Sequence, residues 1–170
     1  VLNITEKVFS LHIHDIKWLF FLSYLFAIVI DNMMILSFDI QFMPYLTLLT
    51  LFFWTSRILY KSHLLSAFIL GLAFDTALNT PLGSHSLIFL TTTFLMLRSR
   101  LRFKGYPLWQ QSVIIGSYLL VFQIMSWFIF TPQLLGNAYY YYWLEPLVAI
   151  FIWPLLTLIL NRLTHQTVFN

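Results

Sequence analysis

Apolar residues gather into six runs along the chain, at about Ile16 to Leu36, Phe42 to Leu59, Leu64 to Leu78, Ser84 to Leu97, Leu108 to Phe130 and Tyr142 to Asn161. Runs this continuous read as transmembrane helices. The third and fourth are shorter than the ~20 residues a bilayer normally needs, so flanking residues must extend them, the bilayer must thin, or they must sit inside the bundle. The pattern predicts an all-α polytopic membrane protein: a compact six-helix transmembrane domain over 18–163, with tails at 1–17 and 164–170.

Polar positions inside these runs follow a rule. The third run carries a lone carboxylate, Asp75, before the chain breaks at Asn79-Thr80-Pro81-Leu82-Gly83. A lone Asp at a helix centre costs about 2.5 to 3.5 kcal/mol on insertion scales, so it should face protein rather than acyl chains. On a helix, Ala67, Gly71 and Asp75 share one face at i, i+4 and i+8, and that face is small enough for another helix to approach closely. The first run repeats the design with Ser23, Ala27 and Asp31, and the fifth places Ser112, Gly116 and Gln123 near one face. At about 1.5 Å per residue, Asp31, Asp75 and Gln123 lie at a similar depth, roughly 15 to 21 Å beyond their helix starts. Glu145 enters from the same side, at the start of the sixth run, where the helix dipole favours a carboxylate. Two arrangements are open. Asp31, Asp75, Gln123 and Glu145 form one polar cluster in the outer half of the bundle, capped by Asn79 and His85, or they have separate roles, each acid capping a neighbouring helix or Asp31 simply lying at the membrane interface.

Composition adds orientation. The chain is 60% hydrophobic, 19% aromatic and 9% charged, against roughly 25% charged for a soluble domain. Lys7, Lys17, Arg57, Lys61, Arg98, Arg100, Arg102, Lys104 and Arg162 fall in the two tails and in the second-to-third and fourth-to-fifth connections. The alternate connections, Ser37 to Gln41, Asn79 to Gly83 and Thr131 to Tyr141, hold no Lys or Arg. The positive-inside rule therefore predicts six crossings with both termini cytoplasmic. The pI near 9.3 then reports topology and attraction to anionic lipid rather than to nucleic acid. Trp18, Trp54 and Trp109 read as interfacial anchors at cytoplasmic ends, and Tyr139 to Tyr142 with Trp143 as an outer belt. Pro44, Pro107 and Pro146 fall at or near helix starts, while Pro154 should kink the last helix.

Catalytic and metal patterns are weak. There is no cysteine. Gly83-Ser84-His85-Ser86 lacks the frame of a serine-nucleophile loop, and His12, His14 and Asp15 lack a further convergent ligand. The reading is non-enzymatic, with no cofactor and no metal. The run Arg98-Ser99-Arg100-Leu101-Arg102-Phe103-Lys104 reads as a cytoplasmic basic loop that meets lipid head groups or a cytoplasmic protein.

One set of features, in order, resembles the MreD family of rod shape-determining membrane proteins. These are the Asp-bearing third run with Gly71 and Asp75, then Pro81-Leu82-Gly83, the basic stretch leading into Pro107-Leu108-Trp109-Gln110-Gln111, and Trp153-Pro154 in a last helix ending Asn161-Arg162. The resemblance spans roughly Trp18 to Leu163. It implies a bacterial cytoplasmic-membrane scaffold that works with MreC, and beside MreB, RodA and a class B penicillin-binding protein, in side-wall peptidoglycan synthesis. It also implies a fold similar to the six-helix substrate-binding subunits of energy-coupling vitamin transporters, which makes a small-solute-binding subunit the alternative. A third possibility, a handler of a peptidoglycan precursor, is disfavoured because Asp31 and Asp75 would repel a pyrophosphate.

Overall fold

The computed structural model describes residues 13–38, 43–59, 62–131 and 138–169. Among them are six helices: α1 (Ile13–Phe38), α2 (Leu46–Arg57), α3 (Leu64–Ala77), α4 (Ser84–Gly105), α5 (Leu108–Phe130) and α6 (Ala138–Phe169). Successive helices run antiparallel across three of these connections: Asp31 late in α1 bonds Leu46 and Thr47 at the start of α2, Asp75 late in α3 bonds His85 at the start of α4, and Gln123 late in α5 bonds Tyr142 early in α6. The N-termini of α2, α4 and α6 therefore gather at one end with the C-termini of α1, α3 and α5.

The helix lengths differ from the sequence expectation. The second helix has only 12 residues, because it begins after Pro44 and Tyr45 rather than at Phe42. The fourth is long, at 22 residues. The run Arg98 to Lys104 is not a loop but the last two turns of α4. Arg and Leu are good helix formers, and cations at a helix C-terminus meet the negative end of its dipole. Arg98 and Arg102 are exposed there, while Arg100 and Lys104 are half-buried. The boundaries set for the tails also shift, since α1 already begins at Ile13 and α6 continues to Phe169. Pro146 is inside α6 rather than at its start.

The shortest helix is the central one. Every residue of α2 from Thr47 to Ser56 is buried, and it packs against α1, α3, α4 and α6. A helix buried all round need not be amphipathic, which is why its sequence is apolar or Thr-like on every face. Trp54 is therefore not an interfacial anchor. It is fully buried, packs on Phe20 and donates its indole N–H to Ser23 Oγ at 2.9 Å. The remaining helices form an arc around α2 in the order α3, α4, α5, α6, α1.

The outer surface is apolar. Trp18, Phe128 and Phe151 are each more than three-quarters exposed, and they sit on α1, α5 and α6. Those three helices are long and apolar enough to cross a bilayer, over Trp18–Ile35, Leu108–Phe130 and Tyr140–Thr164. Exposed aromatic and aliphatic side chains over whole helix flanks suit lipid and are costly in water.

Two glycines set the closest helix approaches. A Cβ on Gly71 would overlap the backbone of His85 and Ser86, so α3 and α4 touch main chain to main chain. Ser86 Oγ reinforces that seam by donating to the Phe68 carbonyl at 3.1 Å. A Cβ on Gly116 would meet Ile150 Cγ1 at 2.8 Å and Cδ1 at 3.0 Å, atoms of a side chain that can rotate. Gly71→Ala should therefore destabilise the bundle by about 3 kcal/mol and Gly116→Ala by about 1 kcal/mol. Thermal unfolding of both variants in one detergent checks this, and equal losses would overturn it.

Candidate functional site

Asp75 ends α3 and organises the turn into α4. Its Oδ2 accepts from the Gly83 N–H at 2.7 Å, and its Oδ1 from the His85 N–H at 2.9 Å and the Thr80 hydroxyl at 3.0 Å. His85 Nδ1 lies 2.8 Å from the same Oδ1. The carboxylate thus caps the first turn of α4 from the preceding helix, replacing water for donors that have no partner within α4. Gly83 makes this possible by adopting φ +96, a left-handed conformation open to glycine. Pro81 and Leu82 are exposed at the tip of the turn. Asn79 is exposed too, at φ 53, and belongs to the turn rather than to any polar cluster. The sequence Ser84-His85-Ser86 is equally committed, because His85 serves Asp75 and Ser86 serves Phe68.

Asp31 does the same for the central helix. The N–H groups of Leu46 and Thr47 reach Oδ1 and Oδ2 at 2.9 and 2.8 Å, and Asp31 is 4% exposed. Tyr45 itself offers no side-chain cap, so α1 supplies it. Between α5 and α6, Gln123 and Glu145 form a third polar group. Gln123 Nε2 donates to the Tyr142 carbonyl and lies 3.4 Å from Glu145 Oε2, while the Tyr142 hydroxyl donates back to the Gln123 carbonyl at 3.0 Å.

Asp31, Asp75, Gln123 and Glu145 all lie at one end of the bundle, as two helix-capping acids and one pair joining α5 to α6. Tyr45 stands between them, its ring 5.4 Å from Phe74, 6.3 Å from His85 and 5.1 Å from Phe122. Asp31 and Glu145 are within electrostatic reach of each other and of Tyr45. Tyr45 and Thr80 were missed in the sequence, since neither stands at a helical spacing from an acid. The only signal was their position beside a helix start.

Of the small residues, Ala27, Ala67, Gly71 and Gly116 are buried within the chain's own packing, and Ser23 is half-buried beneath Trp54. Pro107 is the N-cap of α5, accepting from Gln110 and Gln111 through its carbonyl. Trp109 is exposed, Gln110 is half-buried, Trp153 is buried against Phe103, and Pro154 lies within α6. His14 and Asp15 have side chains outside the described residues, as does His12 altogether. Among the described residues no three His, Asp or Glu side chains converge as a metal ion needs.

An apolar groove of about 420 Å³ runs along the seam of α1 and α6. Leu22, Phe26 and Ile30 line one wall, Leu155 and Ile159 the other, with Ser23, Ala27 and Thr50 also in its lining.

The family model for the rod shape-determining protein MreD matches residues 13–163. The chain belongs to the MreD family. It is accordingly a rod shape-determining membrane protein, in a structural rather than a catalytic family. Rod shape-determining protein MreD of Haemophilus influenzae is 24% identical over 126 residues, covering 72% of this chain and 76% of that protein. No solved structure matches the chain. Within the MreD match lie both capping acids, the Gln123–Glu145 pair and both walls of the groove.

The two caps predict graded losses. Asp75→Ala leaves two backbone N–H groups, Thr80 and His85 without their acceptor and should cost about 3 kcal/mol or more, at about 1 to 3 kcal/mol per unsatisfied buried group. Asp31→Ala removes a cap from α2 and should cost about 2 kcal/mol. Thermal unfolding ranks them, and an Asp75→Ala protein as stable as wild type would refute the capping role.

Proposed function

We propose that this chain is a non-enzymatic scaffold of the wall-elongation machinery, and that the α1–α6 groove receives the transmembrane helix of MreC. The groove carries the reading. The flank of α1 beside it exposes Leu22, Leu25 and Phe26, and that of α6 exposes Leu155, Leu158 and Ile159. In lipid, apolar contact alone gains little over acyl chains, so helix association depends on close packing. Ser23 and Ala27, in the groove's lining with Thr50, provide small positions at which a partner backbone can come near.

In this reading the chain crosses the bacterial cytoplasmic membrane six times, with both termini in the cytoplasm. The alternation of Lys and Arg between its connections supports that orientation. The basic end then faces MreB and the cytoplasmic parts of RodA and the class B penicillin-binding protein. A solute-binding role draws less support, because the Asp31 and Asp75 carboxylates are taken up by the chain's own N–H groups.

The absence of native cysteine makes the test direct. Single cysteines at Phe26 and Ile159, paired with cysteines along the MreC transmembrane segment, should give disulfide-linked adducts in membranes with helical periodicity. A cysteine at Val113, on the exposed flank of α5, should give none. Equal adducts at Val113, or none at Phe26 and Ile159, would sink the groove as the MreC site.

A further inference from the structure

Of the three acids among the described side chains, the fold accounts for two. Asp31 and Asp75 each accept from backbone N–H groups that need an acceptor. Glu145, 5% exposed on α6, has one donor within hydrogen-bond range, the Gln123 amide, whose Nε2 lies 3.4 Å from Oε2. That separation is long for a hydrogen bond, and the same amide is committed to the Tyr142 carbonyl. Glu145 Oε1 is buried and accepts from no group among the described residues. A carboxylate within a membrane helix is costly unless a partner compensates it, so one that the fold leaves uncompensated marks a site.

The atoms beside it share its need. Gln123 is fully buried, and its Oε1 also has no partner among the described residues. Ser126 follows Gln123 by three positions, on the same side of α5, and its buried Oγ is likewise without a partner. A serine inside a helix commonly donates to a carbonyl one turn back, and Ser126 does not. The seam is pinned around these oxygens, because the Tyr142 hydroxyl returns a hydrogen bond to the Gln123 carbonyl at 3.0 Å. The titratable groups within electrostatic reach of Glu145 are Asp31, Tyr45 and Tyr142, none of them a cation. The described Lys and Arg side chains stand toward the C-terminal ends of α2, α4 and α6, at the other end of the bundle. His85 is turned to Asp75.

We propose that Glu145, Gln123 and Ser126 bind a small monovalent cation of the sodium class between α5 and α6. Carboxylate, amide carbonyl and hydroxyl oxygens are hard ligands, suited to hard cations rather than to soft metals. Three candidates could occupy such a place, and they differ in what they satisfy. A water donates two hydrogen bonds and leaves the charge of Glu145 uncompensated. A proton removes the charge and supplies one hydrogen bond. A monovalent cation offsets the single carboxylate and engages all three oxygens. Divalent ions suit the site less, because calcium takes roughly six to eight oxygens and magnesium sheds its waters reluctantly. Since the ligands come from two helices, the bound ion fastens α5 to α6 at the acid end. The site is separate from the α1–α6 groove and does not depend on what fills that groove.

The test uses the full purified chain in a neutral detergent, with sodium chloride replacing choline chloride at constant ionic strength and pH. The thermal midpoint is followed, since an ion that binds only the folded state raises it. Sodium should raise the midpoint along a saturating curve, whereas choline is too large for the site. Glu145→Gln should abolish the increment, because its amide removes the charge and brings a donor of its own. Ser126→Ala should lose at least half of it, and Arg98→Gln, at the opposite end, should keep it. Should Glu145→Gln fail to fold, Ser126→Ala and sodium-23 line broadening by the wild-type chain carry the test alone. No increment in wild type, or an undiminished one in both Glu145→Gln and Ser126→Ala, would overturn the proposal. So would a midpoint that ignores sodium but falls with rising pH in wild type and not in Glu145→Gln, which assigns the place to a proton. A calcium chloride series that raises the midpoint where sodium does not would overturn the monovalent assignment.

Discussion

The structure depends on a central helix that is too short for its surroundings. At 12 residues α2 is about 18 Å long, whereas the hydrocarbon core of a bilayer is about 30 Å thick. Its ends therefore stop inside the protein. A helix terminus exposes unpaired N–H or C=O groups, and without water each costs several kcal/mol. Asp31 resolves the problem at one end by reaching across from α1 to two amides. The same solution recurs one hairpin later, where Asp75 on α3 caps α4. The acids are expensive in lipid when alone, yet here each is surrounded by donors that would be as expensive without it. Neither half is tolerable separately.

The other end of α2 meets the opposite demand. A helix C-terminus favours a cation, and Arg57 occupies the last turn, beside Lys104 at the end of α4. Among the described side chains, charge is thereby sorted along the bundle, with the carboxylates of Asp31, Asp75 and Glu145 at one end and Arg57 and Lys104 at the other. The acid end is closed on itself through backbone N–H groups, His85, Thr80 and Gln123.

Much of this was visible in the chain, and the gaps have physical reasons. Helical period alone places Ser23, Ala27 and Asp31 on one face and Ala67, Gly71 and Asp75 on another; Ala27, Asp31, Ala67, Gly71 and Asp75 are buried and Ser23 is half-buried. That Asp31 serves Leu46 and Thr47 was not visible, because the pairing depends on where α2 starts, and apolar composition runs past that start to Phe42. Trp54 was misplaced for a similar reason. A Trp near the end of an apolar run resembles an interfacial anchor unless one knows that the run is central. The basic stretch from Arg98 to Lys104 hid its helix because charge ends an apolar run without ending a helix.

These constraints also bear on how such a chain can serve other proteins. Its polar groups at the acid end are engaged in holding short helices, so altering them disturbs the fold before it disturbs any partner. What stays uncommitted is the lipid-facing flank of the long helices and the seam where α1 and α6 part. A bundle built around a short core helix keeps its long helices at the periphery, and the sparse seam between α1 and α6 arises where α1 leans chiefly on α2 and α6 chiefly on α5. In a solvent where apolar surface confers little attraction, a fixed concavity is the feature a scaffold can offer, because it makes close packing available without reorganising the chain that supplies it.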